Sequence, residues 1–362
     1  MNKIRAVVSS DLHYTADKNG AELIMPLIRH CDEALSAFCR QIMNIHPDAL
    51  ILTGDHTASG KLTDRTGFAS YLKQIRESGT EIIMTTGNHD FDRCTRKEYM
   101  ETYGPLLKAD SRDSASLSYI RILNSIMFLS MDDHSHRIEG RFQPETMHWL
   151  EENLKYARKN GLEPVFLSHH SVFFDHWTGN SRFYQIQNMD LIPLLHNYGV
   201  RLALTGHQHF PAARKKYGLT EIIVPMPFQG EYTFGILEAD ENEFIWRTDN
   251  IDFDRFGTFR FASEASLRRN TALDFLVNAV LESGTDTDPE HLKEYRRLLT
   301  LWYRKMNSVT LSHHDTQIIN DPYYPALMKH IASTPYGIWI KEMTEENNIR
   351  SDLIHIPYHD HA

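Results

Sequence analysis

Ala49-Leu50-Ile51-Leu52-Thr53-Gly54-Asp55 reads as a short apolar run that stops at a glycine and delivers an aspartate. A run of this length and composition predicts a buried strand. Gly54 allows a sharp turn, so the Asp55 carboxylate enters the space beyond the strand's carboxyl end. Further buried strands are predicted at Ala6–Ser10, Glu81–Thr85, Ile126–Met131, Pro164–Ser168 and Arg201–Leu204. Asp11, Gly87-Asn88, His169 and Gly206-His207 lie immediately after four of them.

Between the strands, Leu23–Asn44, Asp64–Ser78, Pro144–Asn160 and Met189–Tyr198 carry apolar residues at helical spacing. Pro144 stands near one helix start, and Gly161 and Gly199 stand just past two helix ends. This alternation predicts an α/β fold, a layered sheet with helices on its faces. Strands at Glu221–Val224, Thr233–Glu238 and Glu243–Thr248 are separated by turns, which predicts a more antiparallel flank. In an open α/β sheet the loops beyond the strands' carboxyl ends converge on one crevice, so motifs distant in sequence can meet.

From about Phe261 the pattern becomes helical, with helices expected at Ser263–Ser283, Pro289–Asn307, Pro322–Ser333 and Tyr336–Asn348 and no further strand. The expected division is a catalytic domain over 1–255 and a helical C-terminal domain over 260–362. Trp302, Tyr303, Tyr323, Tyr324 and Trp339 read first as core of that helical part. Their second reading is a partner surface through which the chain forms a homo-oligomer.

The chain has 362 residues, 41% hydrophobic and 24% charged, the balance of a globular protein able to bury a sizeable core. A formal charge of −10 weighs against long nucleic acid as a partner. It leaves room for a small anionic substrate, because bound divalent ions invert the local field. Cys31, Cys39 and Cys94 are odd in number and form no CxxC pair, as expected of reduced thiols rather than a disulfide framework. Neither a signal peptide nor a membrane-length apolar stretch is evident, so a cytoplasmic protein without membrane contact is expected.

The chemistry lies in Asp11-Leu12-His13, Gly54-Asp55, Gly87-Asn88-His89-Asp90, His169-His170 and Gly206-His207-Gln208-His209. In an extended segment Asp11 and His13 point the same way around Leu12, and His207 and His209 do so around Gln208. Asp55 is the best candidate for a bridging carboxylate, and Asn88 offers a neutral amide oxygen. Together these residues supply ligands for two adjacent divalent ions, equipment for metal-assisted attack on a phosphate ester. His89 is a candidate to protonate the leaving oxygen, with Asp90 orienting and charging its imidazole. Nitrogen and oxygen ligation around one carboxylate suits Mn²⁺, Fe²⁺/Fe³⁺ or Zn²⁺.

The five motifs, in this order, resemble the calcineurin-like metallophosphoesterases with their DxH, GDxx, GNH(D/E), H and GHxH signature. The resemblance implies a sandwich of two β-sheets flanked by helices. It implies one ion on Asp11, His13, Asp55 and His209, and a second on Asp55, Asn88, the fourth-motif histidine and His207. His89 takes the position of the usual catalytic histidine. His169 is the preferred fourth-motif ligand, with His170 open because Ser171 replaces the family's proline.

Leu52–Thr57, Ser114–Tyr119 and Ser168–Ser171 resemble bacterial class III cyclic-nucleotide phosphodiesterases with a helical C-terminal extension. That likeness covers most of residues 4–250. One departure is His56, where the family has an apolar residue. The expected activity is hydrolysis of a cyclic nucleotide or another small phosphodiester. A phosphomonoesterase or nucleotide pyrophosphatase with the same site is the alternative, and a metal-dependent binding or scaffold protein is the reading from another class. Outside the motifs, His134, His136, Asp92, Arg93, His176 and Trp177 are possible pocket residues, each with an ordinary loop reading, and His313-His314 reads as structural.

Overall fold

The computed structural model describes residues 3–17, 30–133, 140–173, 185–209, 211–284, 286–307, 316–345 and 353–359. His134, His136, His176, Trp177 and His313-His314 lie outside these residues.

Strands β1 (Ile4–Ser9), β2 (Ala49–Thr53) and β3 (Glu81–Thr85) run parallel, with Ala6 opposite Ala49 and Leu50 opposite Ile82. All but Arg5 and Glu81 are buried, because both faces of this sheet are covered, and continuous apolar runs are what such strands require. The second sheet contains β4 (Ser111–Arg112), β5 (Tyr119–Leu123), β6 (Ile126–Ser130), β7 (Glu163–Leu167), β8 (Leu202–Thr205), β9 (Ala212–Lys216) and β10 (Leu219–Ile223). Its order is β4-β5-β6-β7-β8-β10-β9. Strands β11 (Thr233–Ala239), β12 (Glu243–Asn250) and β13 (Leu353–Pro357) complete the first sheet, in the order β13-β12-β11-β1-β2-β3.

The two sheets form a sandwich, and the period of two along β6, β7 and β8 shows it. Phe128, Val165, Leu167, Leu202 and Leu204 point into the first sheet's core. Met127, Leu129, Phe166 and Ala203 point the other way. That outer face is covered by α4 (Pro144–Asn160) and α5 (Leu191–Asn197), whose Leu150, Leu154, Leu191 and Leu195 join the same cluster. On the first sheet, α1 (Cys31–Ile45) presents Leu35, Phe38 and Ile42, and α2 (Leu62–Glu77) presents Phe68, Leu72 and Ile75, each at helical spacing. A third helix, α3 (Arg96–Tyr103), starts with a capping box between Thr95 and Glu98 and buries Tyr99 and Tyr103.

The sheets are also tied by polar bonds where β3 forms an edge. The Met84 N–H donates to the Tyr119 hydroxyl (2.8 Å), and Ser130 Oγ donates to the Met84 carbonyl (2.6 Å). Side chains of the second sheet thus satisfy backbone groups that an edge strand would leave open.

The remaining helices are α6 (Phe253–Phe256), α7 (Phe259–Glu282), α8 (Pro289–Asn307), α9 (Thr316–Ile319), α10 (Tyr324–Ile331) and α11 (Pro335–Glu345). Phe261 and Ala265 of α7 belong to the first sheet's core, whereas its Val277 and Val280 pack with Leu299, Trp302 and Leu327 in a separate core. Among the described residues, no helix is long and apolar enough to cross a membrane.

Three expectations are corrected. The strands after residue 220 are not one antiparallel flank: β11 pairs antiparallel with β1 and β12 antiparallel with β11 in the first sheet, but β10 joins the second sheet parallel to β8. A strand does follow residue 260, since β13 pairs antiparallel with β12, Ile354 opposite Trp246 and Ile356 opposite Phe244. Its five residues alternate buried and exposed and are too short to stand out beside the helices. Finally, β4, β5 and β9 add to the expected strands; Arg121 interrupts the apolar run of β5, and β9 ends in exposed lysines.

Candidate metal centre

The turns after β1, β2, β3, β7 and β8 bring Asp11, His13, Asp55, Asn88, His169, His207 and His209 together at the carboxyl ends of parallel strands. The first group contains Asp11, His13 and His209. His13 Nε2 lies 3.1 Å from His209 Nε2, and His209 Nε2 lies 3.3 Å from Asp11 Oδ1. The second contains Asp55, His169 and His207. His169 Nε2 is 3.2 Å from Asp55 Oδ2, 3.2 Å from His207 Nδ1 and 3.1 Å from Asn88 Oδ1.

Asp55 Oδ2 also lies 3.7 Å from His13 Nε2, so it stands between the two groups. The other carboxylate oxygens are committed elsewhere. Asp55 Oδ1 accepts the His89 backbone N–H (2.8 Å), and Asp11 Oδ2 accepts the His207 backbone N–H (3.0 Å). Asp11 Oδ1 and Asp55 Oδ2 are buried with no hydrogen-bond partner. Leaving such atoms without a partner costs free energy, and here both face clustered imidazole nitrogens. This set of orphaned carboxylate oxygens, imidazole nitrogens and one amide oxygen fits two divalent cations.

The backbone is held in a sparsely populated conformation to achieve this. Asp11, His13, Asp55, His207 and His209 all have φ between 43° and 67°, the left-handed region that non-glycine residues avoid. The extended-segment expectation is therefore corrected. Asp11 and His13 still reach one group, but the curled backbone sends His207 and His209 to different groups. Gly54 (φ 95°) sits directly beneath His169, and a Cβ there would run into the imidazole.

Burial alone would raise the carboxyls of Asp11 and Asp55, but His209 beside the first and His169 beside the second hold both well below the usual range. Burial pushes the His13 imidazole down to about 4 and lowers His207 strongly. For His169 burial also acts downward, but Asp55 outweighs it and raises the imidazole to about 10. Without a cation, a proton on His169 offsets the buried carboxylates; a cation would take over that role.

The two fourth-motif histidines face different ways. His169 donates from Nδ1 to the Thr53 carbonyl (2.9 Å), which turns Nε2 toward the second group. His170 instead faces Asp133, its Nδ1 2.9 Å from Oδ2.

His89 stands beside the first group, its ring edge-on to His13 at 5.0 Å and its side chain 44% exposed. Its ring reaches within 4.8 Å of ligand atoms of His13 and Asp55. The expectation that Asp90 orients it is corrected. His89–Phe91 form a 3-10 turn, in which residues three apart eclipse, so Asp92 meets the His89 Nδ1 (3.1 Å). Asp90 turns inward and is buried. It accepts the His56, Thr57 and Gly87 backbone N–H groups at 3.0–3.1 Å, tying the Asp55 loop to the Asn88 loop. His56 is buried too, stacked on Phe68 and bonded to the Thr85 carbonyl (2.7 Å).

The family model for calcineurin-like phosphoesterases matches residues 4–211, and the chain belongs to that family. Membership of that family points to the class of phosphoric ester hydrolases. A dimetal phosphatase from Danio rerio shares 14% identity over 68% of this chain and 95% of its own, with a TM-score of 0.55. A purple acid phosphatase from yellow lupin (Lupinus luteus) seeds shares 15% identity over 69% of this chain and 52% of its own, with a TM-score of 0.49. No curated protein sequence matches the chain. At these identities the structural likeness is one of fold.

Proposed function

We propose that this protein is a dinuclear metal-dependent phosphodiesterase acting on a cyclic nucleotide or another small phosphodiester. The observation that carries the dinuclear reading is the orphaned Asp55 Oδ2, 3.2 Å from His169 and 3.7 Å from His13. Asp55 would bridge two ions, Asp11, His13 and His209 would complete one site, and Asn88, His169 and His207 the other. Mn²⁺, Fe²⁺/Fe³⁺ and Zn²⁺ all suit these donors. When bound, such a pair supplies an activated water and neutralises charge on the phosphoryl oxygens.

The protein's own groups do the rest. Asp90 holds the two loops that carry Asp55 and Asn88. His89 is exposed enough to meet a substrate, and Asp92 fixes its Nδ1, leaving Nε2 to give a proton to the leaving oxygen. The diester preference and the cyclic-nucleotide substrate rest on the likeness of Leu52–Thr57, Ser114–Tyr119 and Ser168–Ser171 to class III phosphodiesterases. The acidic balance of the chain supports a small substrate over long nucleic acid.

The test is hydrolysis of bis-p-nitrophenyl phosphate against p-nitrophenyl phosphate by chelator-stripped protein reloaded with Mn²⁺. A strong diester preference is expected. Preference for the monoester would replace the phosphodiesterase reading by a phosphatase. Metal-loaded protein inert to both would favour a binding protein on this fold.

A further inference from the structure

One histidine in the crevice has no part in the chemistry above. His170 is fully buried, its ring centroid 4.4 Å from that of His207 with the planes tilted by 40°. It stands edge-on to His169 at 5.4 Å. Asp133 Oδ2 accepts both its backbone N–H (3.0 Å) and its Nδ1 (2.9 Å). These two hydrogen bonds to one oxygen place a proton on Nδ1 and fix the ring's rotation. Asp133 is fully buried, and its own carbonyl accepts the Arg141 N–H (2.7 Å). Gly140 closes over the ring, where a Cβ would come within 2.8 Å of His170 Cγ.

His207 is the candidate ligand against which this clamped ring packs. It faces the second group through Nδ1, the ring nitrogen nearer the backbone, and its own backbone has φ 67°. A small rotation of this ring swings Nδ1 away from His169 and Asp55. Histidines that bind metal are commonly aimed by a partner behind them, and loss of that partner weakens binding about 10- to 100-fold. Behind His207 stands another imidazole, itself clamped by a carboxylate.

We propose that His170, held by Asp133, is a positioning residue that keeps His207 Nδ1 aimed at the second metal position. The proposal rests on the reading of His207 as a ligand there. A buried histidine that merely fills space would be replaceable by a ring of similar size, which separates the two roles.

The experiment is titration of chelator-stripped protein with Mn²⁺, followed by electron paramagnetic resonance and by thermal unfolding of the apo-protein. Wild type is expected to bind two ions with a spin-coupled spectrum. His170→Phe keeps a ring but loses the clamp; it should bind the first ion normally and the second about 10- to 100-fold more weakly, with an uncoupled signal between. Asp133→Asn, whose amide oxygen can still accept both bonds, should retain the second ion, whereas Asp133→Ala should behave like His170→Phe. The Asp133 pair decides the matter should His170→Phe fail to fold. Wild-type affinity for both ions in His170→Phe and Asp133→Ala overturns the proposal. So does equal weakening of both positions with a lowered apo melting temperature, which marks a structural role. Wild-type protein that binds fewer than two ions overturns the dinuclear reading itself, and this proposal with it.

Discussion

His169 and Thr53 are joined by a hydrogen bond of 2.9 Å from the imidazole Nδ1 to the backbone carbonyl that ends β2. One residue further on, Gly54 leaves room for that imidazole, and the next residue is Asp55. The bond couples the two sheets at the point where the candidate ligands meet. Gly54→Ala should displace His169, because φ 95° and the imidazole both oppose a Cβ. The expected outcome is loss of the second ion with the first retained, measured by metal analysis after dialysis. Two ions retained at wild-type affinity would refute the argument.

Asp55→Ala should lose both ions, since its Oδ2 lies between the groups. Activity should fall by more than the roughly 10- to 100-fold expected from removing an outer partner. Retention of both ions would show that Asp55 does not bridge. Asp11→Ala is the contrast: its free oxygen faces His209, and it should weaken the first ion more than the second.

His89→Ala should leave both ions bound while kcat falls about 10²- to 10⁴-fold, the range for a general acid. Asp92→Asn should give a smaller loss, because both partners are exposed and the pair is screened. Loss of a metal ion from His89→Ala would instead make His89 a ligand, a role that its distance to His13 and Asp55 permits.

Asp90→Ala should act on stability rather than on the His89 proton. It removes the acceptor for three buried backbone N–H groups, each costing about 1–3 kcal/mol when left unpaired. Apo-protein carrying this change should melt at markedly lower temperature, while Asp90→Asn, which keeps an acceptor oxygen, should recover part of the loss. An unchanged melting temperature in Asp90→Ala would contradict the keystone role.

The pH dependence of metal binding follows from His169. Its imidazole is raised to about 10 in the absence of metal, yet a ligand must be neutral. Below about pH 10 the second ion therefore displaces a proton, and its apparent affinity should climb as pH rises toward that value. Calorimetry in buffers of different ionisation enthalpy should detect about one proton released. The stability of the apo-protein should follow the opposite trend. A raised imidazole stabilises the fold fully below its ordinary value of 6.5, and that contribution is lost as pH rises through about 10. Apo-protein stability independent of pH between 7 and 10 would sink this account.

Strands buried on both faces were readable because they leave continuous apolar runs; Ala49–Thr53 and Glu81–Thr85 appear with the bounds expected of them. Strands that carry charged residues were not, since β5 contains Arg121 and β9 ends in Lys215 and Lys216. The identities of the clustered residues were legible as polar motifs placed after strands. Their directions were not. No periodicity announces five left-handed residues, a 3-10 turn that pairs His89 with Asp92, or an Asp133 that claims His170 and leaves His169 to face the centre. Those outcomes are decided by contacts between loops from different strands.

Strand β13 gives the fold a consequence in time. The outer edge of β12 cannot be covered until the chain has been made as far as Pro357. Roughly a hundred residues separate the two strands, about 5–20 s of synthesis at typical ribosomal rates. Throughout that interval Phe244 and Trp246 lie on an open edge, the kind of surface on which other chains template themselves. A chain ended before Leu353 should keep that edge permanently open and scatter light on concentration, even though every residue of the crevice is still present.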